Sequence, residues 1–152
     1  MSNLQLRTNV ICTQIDPDRP ATLSSKILRE ILRKELRYTK LIISDDMEMK
    51  AITDHFGAED APRLAVQAGC DILIYRSEAA ARHAYSALLK ALDEGTLAPE
   101  LVLEAANRSR ELKNEFLVPY DSVNVPSVSK VIGCAQHAEI ISRVTGTPGT
   151  PA

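Results

Sequence analysis

Apolar positions along this chain follow two different rhythms. From Leu23 through Ile27, Leu28, Ile31 and Leu32 to Leu36 they recur at helical spacing, while Lys26, Arg29, Glu30, Arg33, Lys34 and Glu35 fill the opposite face. The pattern predicts a helix from Thr22 to Leu36, with Thr22 or Ser24 placed to cap its start. At Leu41-Ile42-Ile43 the helical rhythm stops. Three consecutive large apolar residues suit a parallel strand covered on both faces, and the run ends abruptly at Ser44-Asp45-Asp46. Residues 10–15 form a shorter apolar run, predicted as a strand, before Asp16-Pro17-Asp18-Arg19-Pro20 breaks it. Residues 70–75 form a third run, followed by Arg76, Ser77 and Glu78.

Helical signals separate these runs. A short piece through Met49, Ala51, Ile52 and Phe56 is stopped by Gly57, and a helix over 59–68 tolerates Pro62 in its first turn and ends at Gly69. A further helix is predicted over 79–92, closed by Gly95, and another begins at Pro99 with Leu101, Ala105, Leu112 and Phe116 along one side. Beyond Pro119 the pattern weakens to an extended stretch over 118–128, a short helix within 129–144, and a Gly/Pro/Thr tail over 145–152 expected to be mobile. The predicted strands start about 30 residues apart, the length of a βαβ unit. A closed eight-stranded barrel takes roughly 250 residues. An α/β fold of three consecutive βα units is therefore expected, as a small open sheet or part of a larger barrel, with one domain over 1–144.

Composition narrows the choice of partners. In 152 residues, 45% hydrophobic, a net charge of -2 from 18 basic and 20 acidic side chains supplies no field that would favour nucleic acid or an acidic membrane. Cys12, Cys70 and Cys134 lie far apart and form no metal-binding pair, so reduced thiols are expected, with neither a metal nor a cofactor. No basic start followed by an apolar run and no stretch of membrane-spanning length is present, which points to a cytoplasmic protein.

The candidate chemistry sits at the end of the Leu41 strand. Carboxyl ends of parallel strands are where α/β sheets place their functional groups, and Asp45 and Asp46 lie there. The stretch alone is equally consistent with two acids that cap the next helix. His55, His83 and His137 fall at a helix end, in a polar helix face and near the tail, positions that suit solvated side chains. Asp16, Asp18 and Arg19 suit turn chemistry, and Asp71, at the opening of its strand, suits a stabilising role. A receiver-type signalling domain also places an Asp after a buried strand. Asp16 and Asp18 would imitate its acidic pair, but Arg76 stands where it would need lysine and too few strands intervene.

Three segments in order, Asp16-Pro-Asp-Arg-Pro-Ala-Thr-Leu-Ser24, Leu41-Ile-Ile-Ser-Asp-Asp-Met-Glu-Met-Lys50 and Ala68-Gly-Cys-Asp71, resemble glycoside hydrolase family 3, and most nearly its single-domain β-N-acetylhexosaminidases. The similarity runs over about residues 9–140. It implies strands six, seven and eight of a (β/α)8 barrel, with Asp45 as the catalytic nucleophile of a retaining mechanism, Asp46 at a variable position, and Ser44 available to orient Asp45. It also implies a β-linked N-acetylglucosamine-type glycoside as substrate. The family's Lys-His-Phe-Pro-Gly-His-Gly stretch has no counterpart, and Asn9 stands where the family usually has histidine. The resemblance therefore implies a fragment that carries the nucleophile without the acid/base or most sugar contacts. Such a chain would be inactive alone, with an amino-terminal half-barrel chain or a second copy as its partner. A non-catalytic interaction or sugar-binding module is the other reading.

Overall fold

The computed structural model describes residues 4–6 (backbone), 9–120 and 125–147. Its core is a small parallel sheet with strand order β1 (Leu4–Leu6), β2 (Leu41–Asp46), β3 (Ile72–Ile74). Leu4 pairs with Leu41 and Leu6 with Ile43; on the other side Ile43 pairs with Ile72 and Asp46 with Ile74. The neighbour order and parallel sense are those expected from the sequence.

The first strand is not where the apolar run placed it. Residues 10–15 form no strand, because their backbone is used to close a loop around the two prolines. The amides of Ile15 and Asp16 both donate to the Cys12 carbonyl (2.8 and 2.9 Å), and Ala21 donates to the Val10 carbonyl (2.9 Å). Val10, Ile11 and Ile15 are exposed, so they contribute little to a core. Leu4–Leu6, passed over in the sequence, takes the place beside β2.

The predicted helix from Thr22 is also broken in two. A single 3-10 turn spans Ala21–Leu23, and a helix over Lys26–Glu35 follows it with i→i−5 hydrogen bonds, the amide of Leu36 reaching the Ile31 carbonyl. The break falls at Ser24, whose hydroxyl donates to Asp16 Oδ2 (2.6 Å) and accepts from the Ile27 amide (3.2 Å). One side chain thus caps the helix and ties it to the preceding loop. The helix buries Ile27, Leu28 and Leu32 against Ile42, Ile52, Ala61 and Ala65.

Past β2 the chain forms α1 (Lys50–Thr53) and α2 (Asp60–Ala68); past β3 come α3 (Glu78–Asp93) and α4 (Pro99–Leu117). Gly69 ends α2 at φ 116°, a left-handed conformation that costs other residues energy, and a Cβ there would sit 3.5 Å from Arg29 Cγ. Asp71, just before β3, is the polar anchor of the amino end of the sheet. Its side chain is 1% exposed, pairs with Arg33 (2.7 Å) and Arg108 (2.8 Å), and accepts the Ile42 amide (2.7 Å).

The chain divides into two compact units, 1–116 and 117–152. In the second, α5 (Val125–Val131) occupies part of the stretch expected to be extended, and α6 (Ala135–Thr145) follows Cys134. Pro126 lies in the first turn of α5, where its missing N–H would have had no helical partner, so it starts the helix instead of preventing it. Ala138 is buried. Most of the 145–152 tail lies outside the described residues.

Candidate active site

Strand β2 alternates its side chains between two environments. Ile42 and Ser44 are fully buried, whereas Ile43 and Asp45, on the opposite face, are only half-buried. A register irregularity between Ile43 and Asp46 stretches β2 relative to β3 at the carboxyl edge. Ser44 fills the resulting gap: its hydroxyl accepts the Ile74 amide (2.9 Å) and donates to the Asp45 carbonyl (2.7 Å). The serine therefore fixes the backbone that carries Asp45.

The two adjacent acids have different surroundings. Asp45 Oδ1 accepts the amide of Asp46 (2.8 Å), and among the described residues its carboxylate has no cationic partner within ion-pair distance. Asp46 is committed on both oxygens, accepting the Glu48 amide on Oδ1 (2.9 Å) and pairing with Arg76 Nε on Oδ2 (2.7 Å). Its backbone carbonyl also accepts from Asn9 Nδ2 (2.9 Å). The buried Asn9 is thus tied to the Asp45–Asp46 turn, while its Oδ1 has no hydrogen-bond partner among the described residues.

Glu48, which the sequence did not single out, clamps the β2 exit to the start of α3. Oε2 accepts the amides of Arg76 (2.6 Å) and Ser77 (2.8 Å), and Oε1 accepts the Ser77 hydroxyl (2.9 Å). These bonds, the Ser77 amide foremost, hold its carboxyl below the usual range. The only clue in the sequence was an acid two residues past Asp46 and a Ser-Glu start to the next helix. Nearby, burial followed by the Glu48 charge pushes the Tyr75 phenol up to about 12.

The remaining expected positions are peripheral. Asp16 is buried in its loop, bonded to Ser24 and to the Asp18 amide, and the Ser24 hydroxyl is the main cause of its lowered pKa. That is turn chemistry. His55, His83 and His137 are exposed. Among the described residues no cluster of His, Cys, Asp and Glu is arranged to hold a metal ion, and no helix is long and apolar enough to cross a membrane.

A parallel α/β sheet with one uncommitted carboxylate at the carboxyl end of its middle strand defines the class, and comparison with known proteins gives the family. Residues 4–112 match the model of the glycosyl hydrolase family 3 N terminal domain, so the chain belongs to that family. Membership sets aside the receiver-type reading. A β-hexosaminidase of Psychromonas ingrahamii is 30% identical over 115 residues, covering 74% of this chain and 31% of that protein; one of Glaesserella parasuis is 43% identical over 70 residues, covering 46% and 20%. Among solved structures, a family 3 β-N-acetylglucosaminidase from Paenibacillus superposes with a TM-score of 0.82 at 27% identity over 95% of this chain and 28% of its own. The β-N-acetylglucosaminidase from Thermotoga maritima gives 0.71 at 26% identity, over 86% and 28%. The chain thus spans under a third of the length of these relatives.

Proposed function

We propose that this chain carries the nucleophile of a retaining β-N-acetylhexosaminidase-type glycosidase. Its three strands would be the sixth, seventh and eighth of a (β/α)8 barrel, within the domain that the family match identifies. One observation supports this reading above the others: of two neighbouring carboxylates at the strand end, Asp46 is consumed by Arg76 and a backbone amide, while Asp45 is held by a single backbone bond and left half-open. A nucleophile needs both a fixed position and a free oxygen.

In the proposed reaction, Asp45 attacks the anomeric carbon of a β-linked N-acetylglucosamine unit as the glycosidic C–O bond breaks. A general acid protonates the departing oxygen, and water then cleaves the glycosyl ester with retention of configuration. Among the described residues, nothing in the Asp45 surroundings supplies that acid: Asp46 and Glu48 are engaged and the histidines are exposed. Proton donation typically contributes about 10²–10⁴-fold. These 152 residues are therefore expected to hydrolyse no glycoside unaided, and to act with an amino-terminal half-barrel. The sheet is compatible with such completion, since among the described residues β1 and β3 each pair along one side only.

The test is an aryl N-acetyl-β-glucosaminide assay of the chain with and without the amino-terminal half of a relative. Turnover is expected only with the added half; Asp45→Ala should abolish it and Asp46→Ala should reduce it less. Full activity in a complemented Asp45→Ala variant would disprove the assignment. Turnover by the chain alone that vanished in Asp45→Ala would disprove its dependence on a partner.

A further inference from the structure

Behind the Asp45–Glu48 turn lies a half-open cavity of about 460 Å³, bordered by the β2 exit, α1, α2, the end of β3 and the start of α3. Its walls are largely apolar, with Met47, Ile52, Phe56 and Pro62 among them, and its polar positions are Glu48, Thr53, Tyr75 and His83. The size falls in the range of small-molecule sites, roughly 300–1,000 Å³. We propose that this cavity is a second binding site, separate from the Asp45 carboxylate, for a small cationic amphiphile: a primary ammonium group on a ring-sized apolar body.

The charge of the ligand follows from the lining. Among the described residues, no lysine or arginine lines the cavity, and Glu48 is its one carboxylate. Three donors already occupy that carboxylate, two on Oε2 and one on Oε1. A carboxylate offers about four acceptor positions, so Oε1 retains one for a ligand donor. The same three bonds keep Glu48 ionised and immobile, and an immobile anion beside an apolar wall discriminates by charge. An anionic ligand would meet the fixed Glu48 charge, and no lysine or arginine among the lining residues offsets it. The Tyr75 phenol keeps its proton and adds no charge. Arg76 does not line the cavity: its Nε pairs with Asp46 and its Nη2 donates to the Glu48 backbone carbonyl (3.3 Å).

The test uses two probes with one ring system and opposite charge, tryptamine and indole-3-propionate, titrated into the full chain by calorimetry at neutral pH. Tryptamine should bind saturably and at least about fivefold more tightly than the carboxylate, the scale of one charge-assisted hydrogen bond at a partly solvated site. Tryptamine should also raise the unfolding temperature. Ala58→Trp places an indole from an exposed lining position into the cavity, so it should weaken tryptamine binding without lowering stability. Glu48→Gln should remove the preference between the probes while leaving ring binding in place. Absence of saturable tryptamine binding, equal or tighter binding of indole-3-propionate, or undiminished binding in Ala58→Trp would each overturn the proposal. None of these readouts depends on glycoside hydrolysis, so the glycosidase reading can fail without affecting this one.

Discussion

Replacing Asp71 tests how the amino end of the sheet is held. Its carboxylate is 1% exposed and makes three bonds, to Arg33 Nη2, Arg108 Nη1 and the amide of Ile42 in β2. In Asp71→Ala the Ile42 amide loses its acceptor, at a cost of about 1–3 kcal/mol for a buried unpaired donor. The guanidiniums fare better. Arg33 keeps the Tyr38 and Lys40 carbonyls and Arg108 keeps Glu104, and their side chains are 14% and 27% exposed. Discounted for this solvation, the two lost ion pairs add on the order of 1 kcal/mol together. The expected loss is thus about 3 kcal/mol, at the low end of the ~3–5 kcal/mol for breaking a buried pair. Asp71→Asn keeps an acceptor for Ile42 and should lose roughly half as much. Urea unfolding followed by circular dichroism, at one fixed protein concentration, measures both. A loss below about 0.5 kcal/mol in Asp71→Ala, or an Asn variant as unstable as the Ala variant, would refute the assignment of the cost to the stranded amide.

Three further outcomes follow from other parts of the structure. The Asp16 carboxyl is lowered in the folded chain, so its stabilisation is complete above the unfolded carboxylate value of about 4 and is lost as pH falls through the lower folded value; Asp16→Asn should flatten that acid limb in urea melts taken from neutral to acid pH. Gly69→Ala should cost about 1 kcal/mol, because φ 116° is strained for any residue with a Cβ even though the neighbouring atoms leave 3.5 Å of room; an unchanged melting temperature would contradict this. The open edges of β1 and β3 and the exposed Ile74 should drive self-association of the isolated chain at micromolar concentration, and a monodisperse monomer in sedimentation would argue against the edges as sticky surfaces.

The sequence by itself determined much of this protein. The uninterrupted Leu41-Ile42-Ile43 run suits a strand, and its sudden end at Ser44 places Asp45 near the sheet's carboxyl edge. Gly69 and Pro99 likewise mark one helix end and one helix start, because backbone conformation at glycine and proline is decided locally. What the sequence could not settle were matters of competition between distant groups. Val10 to Ile15 is as apolar as a strand, but the loop over Pro17 and Pro20 uses its backbone, and Leu4–Leu6 wins the place beside β2. Asp45 and Asp46 are chemically identical neighbours. Only the tertiary structure separates them, because Arg76, distant in sequence, pairs with one carboxylate and not the other. Local patterns encode the element each residue belongs to, whereas the freedom of a carboxylate depends on which remote donors reach it, and no spacing along the chain records that.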